Sequence, residues 1–324
     1  MKTFLRLFLA VSFVAIAFSA SAQENSLSDS LRAEIERAKT AALVSANIAI
    51  QQAAELAGGK EYSDESGILV AQGDSWYAYP FYNVLTYLEA RHHYRVESVA
   101  HNGEWLDSMA YDPNQLSGLA HAFKKLRDKK KRPRAILLSG GGNDIAGPQL
   151  TLLLTHRRSG EAPLDEKLVR EVVERRLRIG MLALIAATSH LCREYFDDST
   201  IPIFIHGYSY PVPDGRGYLG GMWFLPGPWL RPAFDTKGYA HSRNDLQIAT
   251  DAMRKIIADY NDVLQGVPAL AKPANVHYIR VINTLTNDLD KYRDDWGNEL
   301  HPTPKGFGRV ADVFATELGK YSKP

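Results

Sequence analysis

Five short apolar runs, separated by longer helical patterns, constrain the fold of this chain more than any other feature. Each run has the length of a buried strand, and the regular alternation predicts a parallel sheet covered by helices on both faces. The predicted strands comprise residues 68–71, 96–100, 135–138, 201–205 and 276–281. The expected fold class is therefore α/β, built on a five-stranded parallel sheet.

Apolar residues at helical spacing predict the elements between and around these strands. The predicted helices comprise residues 26–57, 81–92, 116–126, 164–195, 246–264 and 306–321. The first helix is rich in Ala and Leu and stops at Gly58-Gly59. We expect it to form an N-terminal helical arm, residues 23–60, which lies outside a main domain of residues 61–324.

The first residues have the pattern of a secretory signal peptide. Lys2 and Arg6 precede an apolar run over residues 7–18, and Ala20-Ser21-Ala22 supplies a small-residue cleavage site. We expect residues 1–22 to be removed and the protein to be secreted, into the periplasm, without stable membrane insertion; a retained membrane anchor is the alternative. The only cysteine, Cys192, excludes an internal disulfide, and the net charge of +1 predicts no attraction for nucleic acid.

Three predicted strands end in glycine and polar residues. These ends are Gly73-Asp74-Ser75, Asn102-Gly103 and Gly142-Asn143-Asp144. Ligands of parallel sheets bind beyond the carboxyl ends of the strands, so the three ends are expected to meet at one site. There, Ser75 offers a hydroxyl at a turn into a helix, and the side chain of Asn143 offers an NH2 donor. Taken singly, these segments are also compatible with ordinary loops and helix caps.

A fourth polar segment lies between the last strand and the last helix. It contains Asp294, Asp295, Asn298 and His301. A neutral imidazole at this edge of the sheet can accept the proton of a serine hydroxyl. Taken alone, a loop histidine before Pro302 is more typical of a surface residue.

Together the four segments resemble the SGNH hydrolases, also called the GDSL esterase and lipase family. The family's serine, glycine, Gly-x-Asn-Asp and histidine motifs match Gly73-Asp74-Ser75, Gly103, residues 141–144 and residues 298–301, and the resemblance covers about residues 66–322. It implies a flavodoxin-like three-layer sandwich. It also implies that Ser75 is the nucleophile and His301 the base, and that no metal or organic cofactor takes part. The implied oxyanion hole consists of the backbone amides of Ser75 and Gly103 with the side chain of Asn143.

One position departs from the family motif. Asn298 stands where the family has the aspartate that orients the histidine. We predict that Asp295 takes this role, because the neighbouring Trp296 is able to pack and hold the loop. Asp294, Asn298 itself, or a serine–histidine dyad that uses a backbone carbonyl are the alternatives.

An aromatic insertion over residues 208–235 follows the fourth strand. A long connection of this kind is often a binding loop, although a self-packed loop is the alternative. Its Gly215–Gly220 segment matches a dinucleotide fingerprint by its letters, but it follows prolines rather than a strand, so we reject that interpretation. The predicted substrate-binding residues are Trp76, Tyr208, Tyr218 and Trp223.

The leading hypothesis is a serine esterase that acts on a small-molecule or glycan ester. The alternative is a non-catalytic cell-envelope or polysaccharide-binding protein on an inactive SGNH scaffold, in which Asn298 marks the loss of catalysis. Aromatic rings suit sugars and acyl chains alike, so the sequence leaves both the acyl and the alcohol part of the substrate open.

Overall fold

The computed structural model of this protein describes residues 27–54, 67–198, 200–218, 225–271 and 275–321. The predicted signal peptide, residues 1–22, and Trp223 lie outside the described residues. None of the helices in the described part of the chain has the length and apolarity that crossing a bilayer requires.

The five predicted strands form one parallel sheet with the order β2-β1-β3-β4-β5. This order is that of flavodoxin-like folds, so the predicted fold class is confirmed. Strands β1, β3 and β4 are buried at every residue, as expected for central strands that helices cover on both faces. The strands are β1 Ile68–Gln72, β2 Arg95–Ser98, β3 Ala135–Leu138, β4 Ile203–His206 and β5 Val276–Ile279.

The helices form two layers around this sheet. In one layer α3 packs on α12, and in the other α9 contacts both α5 and α11. A π-helical segment, Arg170–Leu177, joins α8 to α9. A short 3-10 turn, Tyr292–Asp294, precedes residues 295–301, which we call the histidine segment. The α-helices are α1 Asp29–Ala54, α2 Ser75–Ala78, α3 Val84–His92, α4 Leu106–Tyr111, α5 Pro113–Asp128, α6 Gly142–Ile145, α7 Pro148–Leu153, α8 Glu166–Val169, α9 Arg178–Phe196, α10 Arg231–Thr236, α11 Arg243–Leu270 and α12 Pro304–Lys320.

The helix predicted from residue 81 begins only at Val84, because the preceding residues take other conformations. Phe81 has a φ of 69°, which an α-helix does not allow. Asn83 then caps the helix: its side chain accepts hydrogen bonds from the amides of Leu85 and Thr86, and the Thr86 hydroxyl accepts one from the Asn83 amide.

The N-terminal helix α1 packs on the main domain, so the expectation that it lies outside is wrong. A stripe of alanines at Ala42, Ala46, Ala49 and Ala53 is buried in the common hydrophobic core. Side chains this small allow close approach to α5 and α9, the helices that α1 contacts. The described part of the predicted arm is therefore an additional layer of the domain.

Candidate active site

Ser75 lies at the first turn of α2, directly beyond the carboxyl end of β1. The side chain of Asp74 caps this turn by accepting a hydrogen bond of 3.0 Å from the amide of Trp76. Gly73 permits the turn to approach β3, because a Cβ there would lie 2.6 Å from the Cβ of Ser139. The sequence Gly-Asp-Ser thus combines close packing, a cap and a partly exposed hydroxyl.

Asp74 is buried and holds in place the turn of residues 73–76, which we call the serine turn. Its carboxylate also accepts hydrogen bonds from the hydroxyls of Ser139, at 2.8 Å, and Tyr208. Burial, followed by the nearby charge of Asp74, raises the pKa of Tyr208 well above its ordinary value, so this hydroxyl remains a donor. Tyr208 therefore connects the start of the insertion to the serine turn.

The imidazole of His301 lies beside Ser75. Its Nε2 atom is 2.7 Å from the Ser75 Oγ atom, and its Nδ1 atom is 3.0 Å from the Oδ1 atom of Asn298. Both distances are those of hydrogen bonds. The structure therefore brings Ser75, His301 and Asn298 together in one chain of hydrogen bonds.

The orientation of the Asn298 amide follows from backbone donors. Its Oδ1 atom accepts hydrogen bonds from the amides of Leu300, at 3.0 Å, and His301, at 2.8 Å. A backbone N–H can only donate, so the atom that faces the ring is the oxygen, and Nδ1 must carry the hydrogen. Nε2 is then unprotonated and able to accept the proton of Ser75. The neutral amide of Asn298 thus fixes the tautomer that general-base chemistry needs.

The preference for Asp295 as the orienting residue is wrong. Its carboxylate accepts a hydrogen bond of 2.8 Å from the amide of Thr286 and pairs with Arg309 at 2.6 Å. Asp295 therefore connects the histidine segment to α12 and to the loop after β5. The alternative Asp294 uses its backbone carbonyl to accept from Thr303, and the acceptor of His301 Nδ1 is Asn298.

Two aromatic residues enclose His301. The ring of Tyr79 stacks on the imidazole with centroids 4.2 Å apart, and the ring of Trp229 is nearly perpendicular to it with centroids 5.3 Å apart. The Tyr79 hydroxyl also accepts a hydrogen bond of 3.2 Å from the Asn298 amide nitrogen. Burial of the ring, to 5% exposure, lowers the pKa of His301 to about 3. The imidazole of His301 is therefore neutral at ordinary pH.

Two hydrogen bonds connect the residues that follow Gly103 to the Asn143-Asp144 pair. The Asn143 NH2 donates to the carbonyl of Glu104 at 2.9 Å, and the Leu106 amide donates to Asp144 at 3.0 Å. Burial raises the pKa of Asp144 to about 6. Gly103 has a φ of 79° with open space where a side chain would be, so glycine is needed there for conformation rather than for room.

Glu299 attaches the aromatic insertion to the histidine segment. Its fully buried carboxylate accepts hydrogen bonds from four amides of the insertion, those of Gly215, Trp229, Leu230 and Arg231, at 2.6–3.0 Å. Burial raises the pKa of Glu299, whereas the four N–H donors oppose that shift. The insertion is therefore attached to the turn that carries His301.

Two cavities adjoin Ser75. The larger, about 400 Å³, is lined by His301, Gly103 and the aromatic residues Tyr79, Tyr218 and Trp229, among others. The smaller, about 40 Å³, lies between the serine turn and α11 and is mostly apolar. Ser75, Asn143 and Leu300 line both cavities.

The predicted site residues fall into two groups. Ser75, Gly103, Asn143, His301 and Tyr218 all line the larger cavity, whereas Trp76 and Tyr208 are buried and line the smaller one. Sequence reasoning missed Tyr79, Trp229 and Glu299. Within the described ranges, no three His, Cys, Asp or Glu side chains lie together as metal ligands would.

With its flavodoxin-like sheet and the Ser75–His301 pair beyond β1, the structure agrees with the motif pattern. The chain resembles the SGNH hydrolases. No model of a protein family matches the sequence, and no similar curated protein was found.

Three solved structures illustrate what the chain is similar to. A lipase from a goat rumen metagenome is 12% identical, with 78% of this chain and 98% of that chain covered and a TM-score of 0.46. A lipolytic protein of the G-D-S-L family from Veillonella parvula is 13% identical, with coverages of 78% and 98% and a TM-score of 0.42. A variant of an acetyl-xylooligosaccharide esterase from Geobacillus is 11% identical, with coverages of 82% and 100% and a TM-score of 0.39. We therefore infer the function from the site itself.

Proposed function

We propose that this protein is a serine esterase, which hydrolyses carboxylic esters through an acyl-enzyme on Ser75. The observation that carries the proposal is the hydrogen bond of 2.7 Å between Ser75 Oγ and an imidazole whose tautomer is fixed by Asn298. A small-molecule or glycan ester is the expected substrate. We also propose, from the sequence pattern of residues 1–22, that the protein is secreted into the periplasm.

The proposed reaction has two halves. Ser75 Oγ attacks the ester carbonyl while His301 Nε2 accepts its proton, and the resulting tetrahedral oxyanion accepts hydrogen bonds from the amides of Ser75 and Gly103 and from Asn143. Collapse breaks the bond to the alcohol oxygen, which takes the proton from His301. Water, deprotonated by His301, then attacks the acyl-enzyme and releases the acid and Ser75.

Asn298, the residue that orients His301, is neutral, and this affects the expected rate of the reaction. Asn298 orients the ring and holds the hydrogen on Nδ1, but it supplies no negative charge to the imidazolium that forms during attack. We therefore expect turnover below that of a site with an aspartate. The fixed tautomer supports slow catalysis over the non-catalytic alternative.

A fluorophosphonate probe tests the proposal, because only an activated serine reacts with it quickly. We expect Ser75 to be labelled, and Ser75→Ala to lose labelling and at least about 10³-fold in kcat for p-nitrophenyl acetate with an unchanged melting temperature. Ser159→Ala, at an exposed serine, is the matched control. A folded wild-type protein that neither reacts nor hydrolyses any ester would support the non-catalytic alternative.

A further inference from the structure

The two cavities at Ser75 differ in which catalytic groups they contact. His301 and Gly103 line only the larger cavity, whereas Ser75 and Asn143 line both. If the proposed function holds, the tetrahedral carbon bonded to Ser75 carries three further substituents. Each of them must point toward a different part of this surface.

Two of the three directions follow from the proposed chemistry. The oxyanion must face the amide of Gly103 and the side chain of Asn143, and the leaving oxygen must lie within hydrogen-bond reach of His301 Nε2. Both requirements place these substituents toward the larger cavity. The remaining substituent is the acyl chain, and the remaining space is the smaller cavity.

The smaller cavity sets a narrow limit on chain length. Space of about 10–15 Å³ admits one water-sized group, so the cavity of about 40 Å³ admits about three. Its lining includes the buried apolar side chains of Ile145, Ala146, Leu230, Met253 and Ile257. These side chains suit a short alkyl group and offer no partner to a charged one.

The larger cavity has the dimensions of an ordinary ligand pocket. Its volume of about 400 Å³ lies within the usual range of about 300–1,000 Å³. Tyr79, Tyr218 and Trp229 present aromatic surface to it. This is the side on which the alcohol part leaves with the proton of His301.

We infer that the enzyme removes short acyl groups, from acetyl to butyryl, from bulky alcohols, and that Ile257 and Ala146 set the limit on acyl length. This inference rests on the proposed esterase function. It assigns the two sides of the substrate to two separate cavities.

A series of p-nitrophenyl esters with acyl chains of 2, 4, 8 and 12 carbons tests the acyl limit. For the wild type we expect kcat/KM to be at least about tenfold higher for the two shorter esters than for the two longer ones. Ile257→Ala should raise the ratio of octanoate to acetate kcat/KM at least about tenfold. Ala146→Val should lower the ratio of butyrate to acetate by about the same factor, because it fills the same space.

The neighbouring Ile256 provides a matched control on the same helix. It is fully buried but does not line the cavity, so Ile256→Ala should leave the chain-length profile unchanged. If either alanine variant fails to fold, the pair Ile257→Val and Ile256→Val gives the same comparison with a smaller loss of volume. Equal chain-length profiles for the Ile257 and Ile256 variants would overturn the inference that Ile257 limits the acyl length.

The alcohol side is tested with cyclohexyl acetate and ethyl acetate, whose leaving groups are both simple alkoxides. We expect cyclohexyl acetate to have the higher kcat/KM. A preference for ethyl acetate would overturn the assignment of a bulky alcohol to the larger cavity. Ser75-dependent hydrolysis with a preference for long acyl chains would overturn the acyl limit while leaving the esterase proposal intact. Absence of Ser75-dependent hydrolysis for every ester would instead overturn the esterase proposal itself.

Discussion

Replacing the neutral orienting residue with a charged one is the most informative perturbation of this site. In Asn298→Asp, a carboxylate oxygen would take the place of Oδ1, 3.0 Å from His301 Nδ1. The amides of Leu300 and His301 already donate to that position, so the carboxylate would be solvated by the same hydrogen bonds. The geometry of the ring should therefore persist while the electrostatics change.

The size of the effect follows from the burial of the ring. Burial alone lowers the pKa of His301 to about 3, and an opposite charge at this range raises such a pKa by about 1–3 units. The pKa should therefore rise to about 4–6. The same interaction stabilises the imidazolium that forms during attack by about 1.4–4 kcal/mol, so kcat should rise at least about tenfold.

The assay is the pH dependence of kcat/KM for p-nitrophenyl acetate, followed by released acetate so that it extends below pH 4. A base acts only when it is unprotonated, so a raised pKa moves the acid limb of the profile to higher pH. Asn283→Asp, at an exposed asparagine, adds the same charge elsewhere and should change neither quantity. An unchanged acid limb together with an unchanged or lower kcat would refute the role given to Asn298.

The same reasoning separates Asn298 from Asp295. Asp295→Ala should leave kcat within about threefold, because its carboxylate binds Thr286 and Arg309 rather than the imidazole. Its main effect should be a lower melting temperature, since the histidine segment loses a connection to α12. A tenfold or larger fall in kcat with unchanged stability would restore Asp295 as the orienting residue.

Two further predictions concern Asn143 and Glu299. Asn143→Ala should lower kcat by about 10²–10³ with little change in KM, since its NH2 is expected to act on the oxyanion; a change confined to KM would contradict this. Glu299→Gln should lower the free energy of unfolding in urea by at least about 2 kcal/mol, because an amide NH2 would then face backbone donors. Glu161→Gln, at an exposed position, is the control, and equal stability of the two variants would show that the four hydrogen bonds contribute little.

The fold was predictable because its signals are local. The five strands are short apolar runs, and the observed bounds differ from the predicted ones by at most two residues at either end. The start of α3 was not predictable from hydrophobic spacing, because the apolar pattern continues through Phe81, whose backbone conformation excludes a helix. The packing of α1 was also missed, because a stripe of alanines has no strong contrast with its polar neighbours.

The site was predictable only in part. Ser75, His301, Gly103 and Asn143 follow strands or precede a helix, and the motif pattern predicts their roles. The sequence predicts Asp295 as the third member, because the neighbouring Trp296 is able to pack and hold the loop. The local signal pointed elsewhere: an asparagine often accepts from the backbone amides two residues on, and Asn298 does so while also reaching the ring. The contributions of Tyr79 and Glu299 depend on contacts between distant segments, which a single sequence does not display.

The attachment of the insertion through Glu299 couples the shape of the larger cavity to the position of His301. The carboxylate of Glu299 binds the amide of Trp229, which forms part of the cavity wall, and Glu299 belongs to the turn that carries His301. A displacement of the wall would therefore also displace this turn. A loop of another length, grafted in place of the insertion, would have to direct its own amides at residue 299 or leave a buried charge without donors. We therefore expect point substitutions along the existing wall to alter the cavity without moving His301, whereas exchange of the whole loop should also displace His301.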